Sequence, residues 1–337
     1  GATLIELEAA DGTTPIATSF GGKNTISVID PSIYTGSEAS CSNTTGIIIL
    51  SRAGGEGQDI KSDGFKDGTK HQLALSDFER NTIKFAKKNC SKVVVVINSS
   101  NVMELGELED GELSDQVDAI LWVGGPGSTG FQSMADILCG KVNPSGKTAD
   151  IYPEDFYKDP AVQNFGDFTY SNTGSKTAPG YFEYEEGIYI GYKYYETAAE
   201  TGYIDYAKSV VYPFGYGLSY TTFDHKFDSL KKDGNEITCE VTVTNTGKTA
   251  GKDIVQLYYT APFTEYDKQN GIEKASKNLI NFGKTKELKA GESEKVTLSW
   301  GADEMASYAY RHDNNDGTKG CYILEDGTYT ISDGKNS

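Results

Sequence analysis

Lys92-Val-Val-Val-Val-Ile97 decides the fold, because a continuous run of apolar residues is typical of a strand buried on both faces of a sheet. Gly46-Ile-Ile-Ile-Leu50 has the same character earlier in the chain, and Val117-Asp-Ala-Ile-Leu-Trp-Val123 has it later. Strands of this kind are found in parallel sheets, whose two faces are covered by helices. The three runs therefore predict neighbouring strands of one parallel sheet.

The segments next to these strands predict the covering helices. Ser76-Asp-Phe-Glu-Arg80 has the pattern of a capping box, with Ser76 as the N-cap and Glu79 three residues later. The apolar spacing that follows predicts a helix to about Asn89. Residues 131–138 predict a second helix after the third strand. Strands that alternate with helices in this way indicate an α/β sheet.

The last third of the chain has a different pattern. Apolar and polar residues alternate with period two in four segments, Ile237–Thr244, Asp253–Tyr259, Glu294–Trp300 and Gly327–Ile331. Several short strands with no helix between them predict a fibronectin-like or immunoglobulin-like β-sandwich.

The predicted fold class is therefore α/β followed by all-β. We assign an open, mainly parallel α/β/α sandwich to residues 1–221 and the β-sandwich to residues 222–337. Within the first domain, residues 1–40 are poorly defined by their pattern, and residues 141–221 predict a loop-rich excursion punctuated by five prolines.

Composition narrows the classes of function. A chain of 337 residues is long enough for two domains. Its formal net charge of −18 makes it unsuited to binding nucleic acid or an anionic membrane surface. No apolar run approaches the roughly 18 residues of a membrane helix, and the cellular compartment stays open. The five cysteines and three histidines are scattered without a Cys-x-x-Cys pair. We therefore expect no metal site, no disulfide framework and no cofactor.

The loop after the first strand is the first candidate site. In Ser51-Arg-Ala-Gly-Gly-Glu-Gly-Gln-Asp59, three glycines surround Glu56, with Arg52 and Asp59 on either side. Glycine permits backbone conformations closed to other residues, and the loop after a strand of an open α/β sheet is where ligands bind. The loop could present Glu56 to a ligand, or it could be a plain turn with a solvated glutamate.

Three further patterns could be sites, and each has a structural alternative. Gly124-Gly-Pro-Gly127 follows a strand and opens a helix, but its spacing is not that of a dinucleotide loop. Lys70-His71 could be a charged pair that binds substrate, although a solvated pair is the better interpretation. Three aspartates lack the spacing of a calcium loop, namely Asp63, Asp67 and Asp77.

Four motifs, in serial order, carry a family resemblance. They are Asp136-Ile-Leu-Cys-Gly-Lys-Val-Asn-Pro-Ser-Gly-Lys147, Tyr152-Pro153, Tyr184-Glu-Glu-Gly-Ile-Tyr-Ile-Gly-Tyr-Lys-Tyr-Tyr195 and Tyr212-Pro-Phe-Gly-Tyr-Gly-Leu-Ser-Tyr-Thr-Thr-Phe223. Together they resemble the C-terminal half of glycoside hydrolase family 3, the β-glucosidase and exo-glycosidase family. The glycine loop looks like the family's loop that carries the general acid/base glutamate. The resemblance covers nearly the whole chain except the first 40 residues.

The resemblance implies a function and also a missing part. Glu56 would be the acid/base of a retaining, exo-acting glycoside hydrolase, with Arg52 and Asp59 as residues that bind substrate or shape the loop. The family's nucleophile is an aspartate on a (β/α)₈ barrel, and no such barrel fits in this chain. Some family members place the barrel after the fibronectin-like domain, and we expect the chain to be the N-terminal part of such an enzyme, inactive alone.

The implied partners are the terminal sugar of a glucoside or oligosaccharide and the barrel domain. The chain could also form a homodimer through a face that the barrel would cover. The alternative function is that of a non-catalytic fragment, which would bind carbohydrate or another protein.

Overall fold

The computed structural model describes residues 34–52, 70–165, 168–170, 172 and 180–334. The chain divides into two compact units, each of which is described by itself. The first unit is Gly1–Ala135 with Tyr152–Glu154, and the second is Asp136–Ile151 with Asp155–Ser337. Within the described residues, none of the helices combines the length and the apolar character that a bilayer span requires.

A three-stranded parallel sheet organises the first unit. Its strands are β1 (Thr45–Arg52), β2 (Lys92–Ser99) and β3 (Ala119–Trp122), with β2 in the middle. Leu50 lies beside Ile97, and Val95 lies beside Ile120, so all three strands run in the same direction. The three apolar runs of the sequence thus form the predicted parallel sheet, but Ile47 and Ile49 are about half exposed, so the prediction of burial on both faces is wrong for β1.

Helix α2 (Asp77–Asn89) follows β1 and ends at the predicted residue. Its capping box is complete, because Ser76 Oγ accepts from Glu79 N and Glu79 Oε2 accepts from Ser76 N, at 3.1 and 2.8 Å. The helix packs against β1 and β2 and buries Ile83 and Ala86. The remaining helices of this part of the chain are α1 (Glu38–Cys41), α3 (Gly106–Glu109) and α4 (Gly127–Leu138).

The chain between the sheet and the β-sandwich is more ordered than its sequence predicts. The short elements there are β4 (Tyr152–Pro153), α5 (Pro160–Asn164), β5 (Phe168–Thr169), β6 (Gly180–Tyr181), α6 (Tyr192–Glu200), α7 (Tyr206–Ser209) and β7 (Val210–Tyr212). In the second unit, Tyr195 of α6 is buried with Ile151 and Val210. The prediction of a loop-rich excursion missed α6, because four of its nine residues are tyrosine or threonine, which are weak helix formers.

Two three-stranded antiparallel sheets form the β-sandwich. One has the order β12 (Ser293–Gly301), β9 (Glu236–Asn245), β8 (Phe223–Asp233), and the other has the order β11 (Asn278–Lys284), β10 (Ile254–Thr260), β15 (Thr330–Asp333). Alternate residues such as Val241, Val255 and Leu257 are completely buried in the core. A separate hairpin joins β13 (Ser307–Asp313) to β14 (Lys319–Ile323).

One helix interrupts the strands of the β-sandwich, contrary to the expectation of none. Helix α8 (Glu265–Asn270) has a capping box made by Thr264 and Asp267. Lys274 Nζ lies 2.8 Å from Asp267 Oδ2 and also contacts Glu325. The helix is therefore held by its cap and by a buried ion pair. Neither feature appears in the sequence as a periodic pattern of apolar residues, so the pattern does not predict this helix.

A buried cluster of charges lies at one edge of the β-sandwich. His225 Nε2 is 3.1 Å from Asp253 Oδ2, and His225 Nδ1 is 3.3 Å from Asp333 Oδ2. Lys147 Nζ is 3.5 Å from Asp253 Oδ1. The side chains of His225, Asp253 and Asp333 are each at most 4% exposed. This arrangement suits an imidazolium, which can donate a hydrogen bond from each ring nitrogen to a carboxylate.

Candidate functional site

The carboxyl edge of the parallel sheet brings three chain segments together in the first unit. Strand β1 ends at Arg52, β2 ends at Ser99 and β3 ends at Trp122. In an open α/β sheet this edge is where ligands bind. Trp122 Nε1 donates to the Ser99 carbonyl oxygen at 3.0 Å, which ties the ends of β2 and β3 together.

Two of the predicted site residues, Glu56 and Asp59, lie outside the described residues. So do two of the three aspartates considered as calcium ligands, Asp63 and Asp67. The structure does describe both flanks of residues 53–69, with Arg52 on one side and Lys70 and His71 on the other. The geometry of these flanks bears on how the segment that carries Glu56 is attached to the sheet.

The guanidinium of Arg52 is fully buried and has several acceptors. Its two terminal nitrogens contact both carboxylate oxygens of Glu79, at 2.7 and 2.8 Å. It also donates to the carbonyl oxygens of Ser51 and Ala74, at 2.9 and 2.8 Å, and Nε donates to that of Gln72. Bidentate pairing fixes the orientation of an arginine as well as its position. The predicted role of Arg52, to bind substrate or to shape the loop, stays a prediction.

Lys70 and His71 both approach one carboxylate, that of Glu104, on the other flank. His71 is only 5% exposed, so the interpretation of Lys70-His71 as a solvated pair is wrong for the histidine. Its Nε2 lies 2.9 Å from Glu104 Oε2, and Lys70 Nζ lies 3.2 Å from Glu104 Oε1. The sequence could not show this pairing, because Glu104 is more than 30 residues away in the chain.

The glycine loop after β3 has a structural explanation. Gly124 has φ +61°, and a Cβ atom there would lie 3.1 Å from the ring of Trp122. A Cβ atom on Gly125 would lie 3.1 Å from Ser100 Oγ. The glycines thus let the backbone pass closely over the ends of β2 and β3. Close approach of the backbone accounts for the glycines at positions 124 and 125.

Replacing Gly124 by alanine should lower the free energy of unfolding by about 1–2 kcal/mol, because an L-residue is strained at this positive φ and would press on Trp122. Urea unfolding followed by tryptophan fluorescence measures the change. Gly146→Ala is the control, because a Cβ atom there has no heavy atom within 4 Å. Equal stability of the two variants would contradict the packing role.

Other acidic residues near the sheet serve the fold. Asp118 accepts from Lys92 Nζ and from Val93 N, both at 2.9 Å, and these hydrogen bonds lower the pKa of its carboxyl. Asp77 lies 2.8 Å from Arg80. In the part of the chain that the structure describes, no three His, Cys, Asp or Glu side chains are grouped as metal ligands.

Two of the motifs that carry the resemblance, residues 136–147 and 212–223, contact each other in the second unit. Asn143 Nδ2 donates to the Ala250 carbonyl oxygen at 2.9 Å, and its Oδ1 accepts from Ser219 Oγ and Tyr220 N at 2.9 and 2.8 Å. A Cβ atom on Gly217 would lie 2.2 Å from the Gly146 carbonyl oxygen, so the two motifs touch through their backbones. These hydrogen bonds and the close approach of the backbones hold the first and the last of the motifs together.

Family models match both parts of the chain. Residues 33–192 match the glycosyl hydrolase family 3 C-terminal domain, and residues 253–337 match the fibronectin type III-like domain. The chain therefore belongs to glycoside hydrolase family 3, of which it holds these two domains. The predicted boundary near residue 221 falls between the two matches and stays a prediction.

Individual relatives agree with this assignment. Beta-glucosidase A of Butyrivibrio fibrisolvens is 35% identical over 317 residues, which are 85% of this chain and 35% of that protein. An exo-alpha-(1->6)-L-arabinopyranosidase of Bifidobacterium longum is 31% identical, over 82% of this chain and 32% of its own length. The crystal structure of a beta-glucosidase from Paenibacillus barengoltzii superposes with a TM-score of 0.72 at 32% identity, over 91% of this chain and 30% of that one. This chain spans about a third of the length of the curated relatives it matches.

Proposed function

We propose that the chain supplies the acid/base loop of a retaining, exo-acting glycoside hydrolase of the β-glucosidase type. The observation that carries this proposal is the family 3 match over residues 33–192, which includes the strand β1 and the loop that follows it. Glu56 stands four residues after Arg52, whose buried guanidinium fixes the carboxyl end of β1. The nucleophile would come from a (β/α)₈ barrel outside these 337 residues.

In a retaining mechanism two carboxyl groups stand about 5–5.5 Å apart across the scissile bond. Glu56 would first protonate the glycosidic oxygen as it leaves, while the nucleophile on the barrel forms the glycosyl-enzyme. Glu56 would then remove a proton from the attacking water, because the acid of the first step becomes the base of the second. Arg52, whose side chain is buried, and Asp59, which belongs to the loop, would bind substrate or shape the loop beside Glu56.

The proposed substrate is the terminal, β-linked sugar of a glucoside or oligosaccharide. Two of the three relatives described above are named beta-glucosidases, and the third is named for an arabinopyranoside. The sugar-binding residues of the family lie mainly on the barrel. The chain would therefore supply the acid that protonates the leaving group, and the barrel domain would determine which sugar is bound. The fibronectin type III-like domain is proposed to support the structure and to take no part in catalysis.

The isolated chain should show no release of nitrophenol from an aryl-β-glucoside, because one carboxylate of the pair is absent. The assay compares the purified chain with buffer, and a full-length family 3 β-glucosidase serves as the positive control. A circular dichroism melt shows that the chain is folded during the assay. Measurable turnover by the folded chain would refute the split of the active site between two domains.

A further inference from the structure

We propose that Cys41 and Cys90 form a modification site, a pair of thiols that a small-molecule disulfide oxidises to one disulfide bond. This inference is independent of the proposed function, because it involves none of the residues proposed for catalysis. The cysteines are scattered in the sequence, and all five are free thiols in the structure. The fold nevertheless brings these two together, although β1 and α2 lie between them in the chain.

Cys90 lies at the C-terminal end of α2, with its side chain directed towards β1. It is the C-cap residue of the helix, and its N–H donates to the Ala86 carbonyl oxygen at 2.7 Å. A Cβ atom on Gly46, the second residue of β1, would lie 3.1 Å from Cys90 Sγ and 3.3 Å from Ala86 Cβ. The sulfur of Cys90 therefore lies on the side of β1 that faces α2.

Cys41 is the last residue of α1, and a tight turn connects it to β1. Thr44 closes this turn, because its N and its Oγ1 donate to the Cys41 carbonyl oxygen at 3.1 and 2.6 Å. Ser91 N donates in turn to the Thr44 carbonyl oxygen at 2.8 Å, so the residue after Cys90 is fixed to the end of the turn. Helix α1 also packs against α2. The backbone thus holds the two cysteines near each other without any bond between their sulfurs.

The two thiols also affect each other. Burial raises the pKa of the Cys41 thiol, and Cys90 raises it further through its charge and through a hydrogen bond between the thiols. This mutual effect agrees with the backbone contacts, since a hydrogen bond requires that the sulfurs be neighbours. Because the thiolate is the reactive form, the raised pKa makes oxidation slow at neutral pH and faster at mildly alkaline pH.

The reaction is thiol–disulfide exchange, with a low-molecular-weight disulfide such as oxidised glutathione as the oxidant. One cysteine thiolate attacks the S–S bond of the reagent, so that a mixed disulfide forms and one glutathione thiolate leaves. The other cysteine thiolate attacks the protein sulfur of the mixed disulfide, which forms the bond between Cys41 and Cys90 and releases the second glutathione thiolate. The two cysteine protons end on the two glutathione thiols, and two electrons pass from the protein to the reagent.

The bond would close a loop of chain that contains β1 and α2. A cross-link of this kind restricts the unfolded chain and thereby stabilises the folded one, provided that the native geometry accepts the bond. The hydrogen bond from Ser91 to Thr44 already joins the two ends of this loop in the folded state. We therefore expect the bond to form in the folded chain and to stabilise it.

The test is incubation of the purified 337-residue chain with millimolar oxidised glutathione at about pH 8. Remaining thiols are then alkylated, and the peptides are mapped by mass spectrometry without reduction. A peptide pair joined through Cys41 and Cys90 should be at least about ten times as abundant as glutathione adducts of either cysteine. The reason is that a neighbouring thiol acts at a higher effective concentration than the reagent.

Cys139 is the matched internal control, because it is exposed while Cys41 and Cys90 are partly buried. It should carry a glutathione adduct and take no part in the cross-link, so Cys139→Ser should leave the bond between Cys41 and Cys90 unchanged. Cys41→Ser should abolish the cross-link and leave Cys90 as a free thiol or a glutathione adduct. The wild-type chain alone decides the inference if Cys41→Ser does not fold.

A thermal melt shows whether the bond belongs to the folded state. The oxidised wild-type chain should have a Tm about 5–10 °C above that of the reduced chain, and dithiothreitol should reverse the shift. Cys41→Ser treated in the same way should show no shift. Glutathione adducts on Cys41 and Cys90 without a cross-link, or no loss of either thiol, would overturn the inference. A cross-link that leaves Tm unchanged or lowers it would also overturn the inference, because the bond would then not fit the folded chain.

Discussion

Glu56→Ala in the full-length protein should lower kcat by about 10²–10⁴-fold on an aryl-β-glucoside with a poor leaving group. Alanine cannot donate a proton to the departing oxygen, so the first step slows in proportion to the basicity of the leaving group. For a good leaving group the first step needs no acid, and the second step becomes limiting because water has lost its base. The measurement is kcat on a series of aryl glucosides of graded leaving-group pKa.

Azide distinguishes the effects of Glu56→Ala on the two chemical steps of the reaction. It is a nucleophile that needs no general base, so it should partly restore turnover of the good leaving group by Glu56→Ala and yield a β-glycosyl azide. The anomeric configuration of that product, read by proton NMR, reports retention. Glu38→Ala, which removes an exposed glutamate of helix α1, is the control and should match the wild type. Intact activity in Glu56→Ala would show that the acid/base assignment is wrong.

How much the sequence could predict depends on whether the information is local. The three apolar runs predicted the parallel sheet, and Ser76 with Glu79 predicted the start of α2, because hydrophobic period and capping are properties of neighbouring residues. Glu79 was recognised as a cap, and its second role as the partner of Arg52 was not. That pairing spans 27 residues and depends on where α2 packs relative to β1.

Burial of charge was the main feature that the sequence could not reveal. A histidine next to a lysine in a polar stretch gives no sign that one will be buried and the other exposed, as His71 and Lys70 are. Helix α8 was missed for a related reason, because Lys274, Asp267 and Glu325 hold it through ion pairs between separate segments. In each case the decisive contact joins residues whose sequence neighbourhoods look solvated.

At one edge of the β-sandwich, His225 lies against two buried carboxylates, those of Asp253 and Asp333. As an imidazolium it would add a positive charge to that of Lys147, which lies 3.5 Å from Asp253. The nearby thiol of Cys239 adds no charge, because burial, with a smaller effect of Asp333, raises its pKa to about 11. Replacing the imidazolium by a neutral group would take this positive charge away from both carboxylates.

His225→Gln should therefore lower the free energy of unfolding by about 3–5 kcal/mol, the usual cost of breaking a buried ion pair from one side. Urea unfolding at neutral pH measures the loss, and His312→Gln is the control because that histidine is exposed on β13. A double variant tests the cause. Asp333→Asn in the His225→Gln background removes one of the uncompensated charges, so the two losses should not add, and the coupling should reach about 1–3 kcal/mol. Additive losses, or a His225→Gln variant as stable as His312→Gln, would contradict a charged His225. The cycle needs only the 337-residue chain, so it tests the charge of His225 in the β-sandwich independently of any catalytic activity.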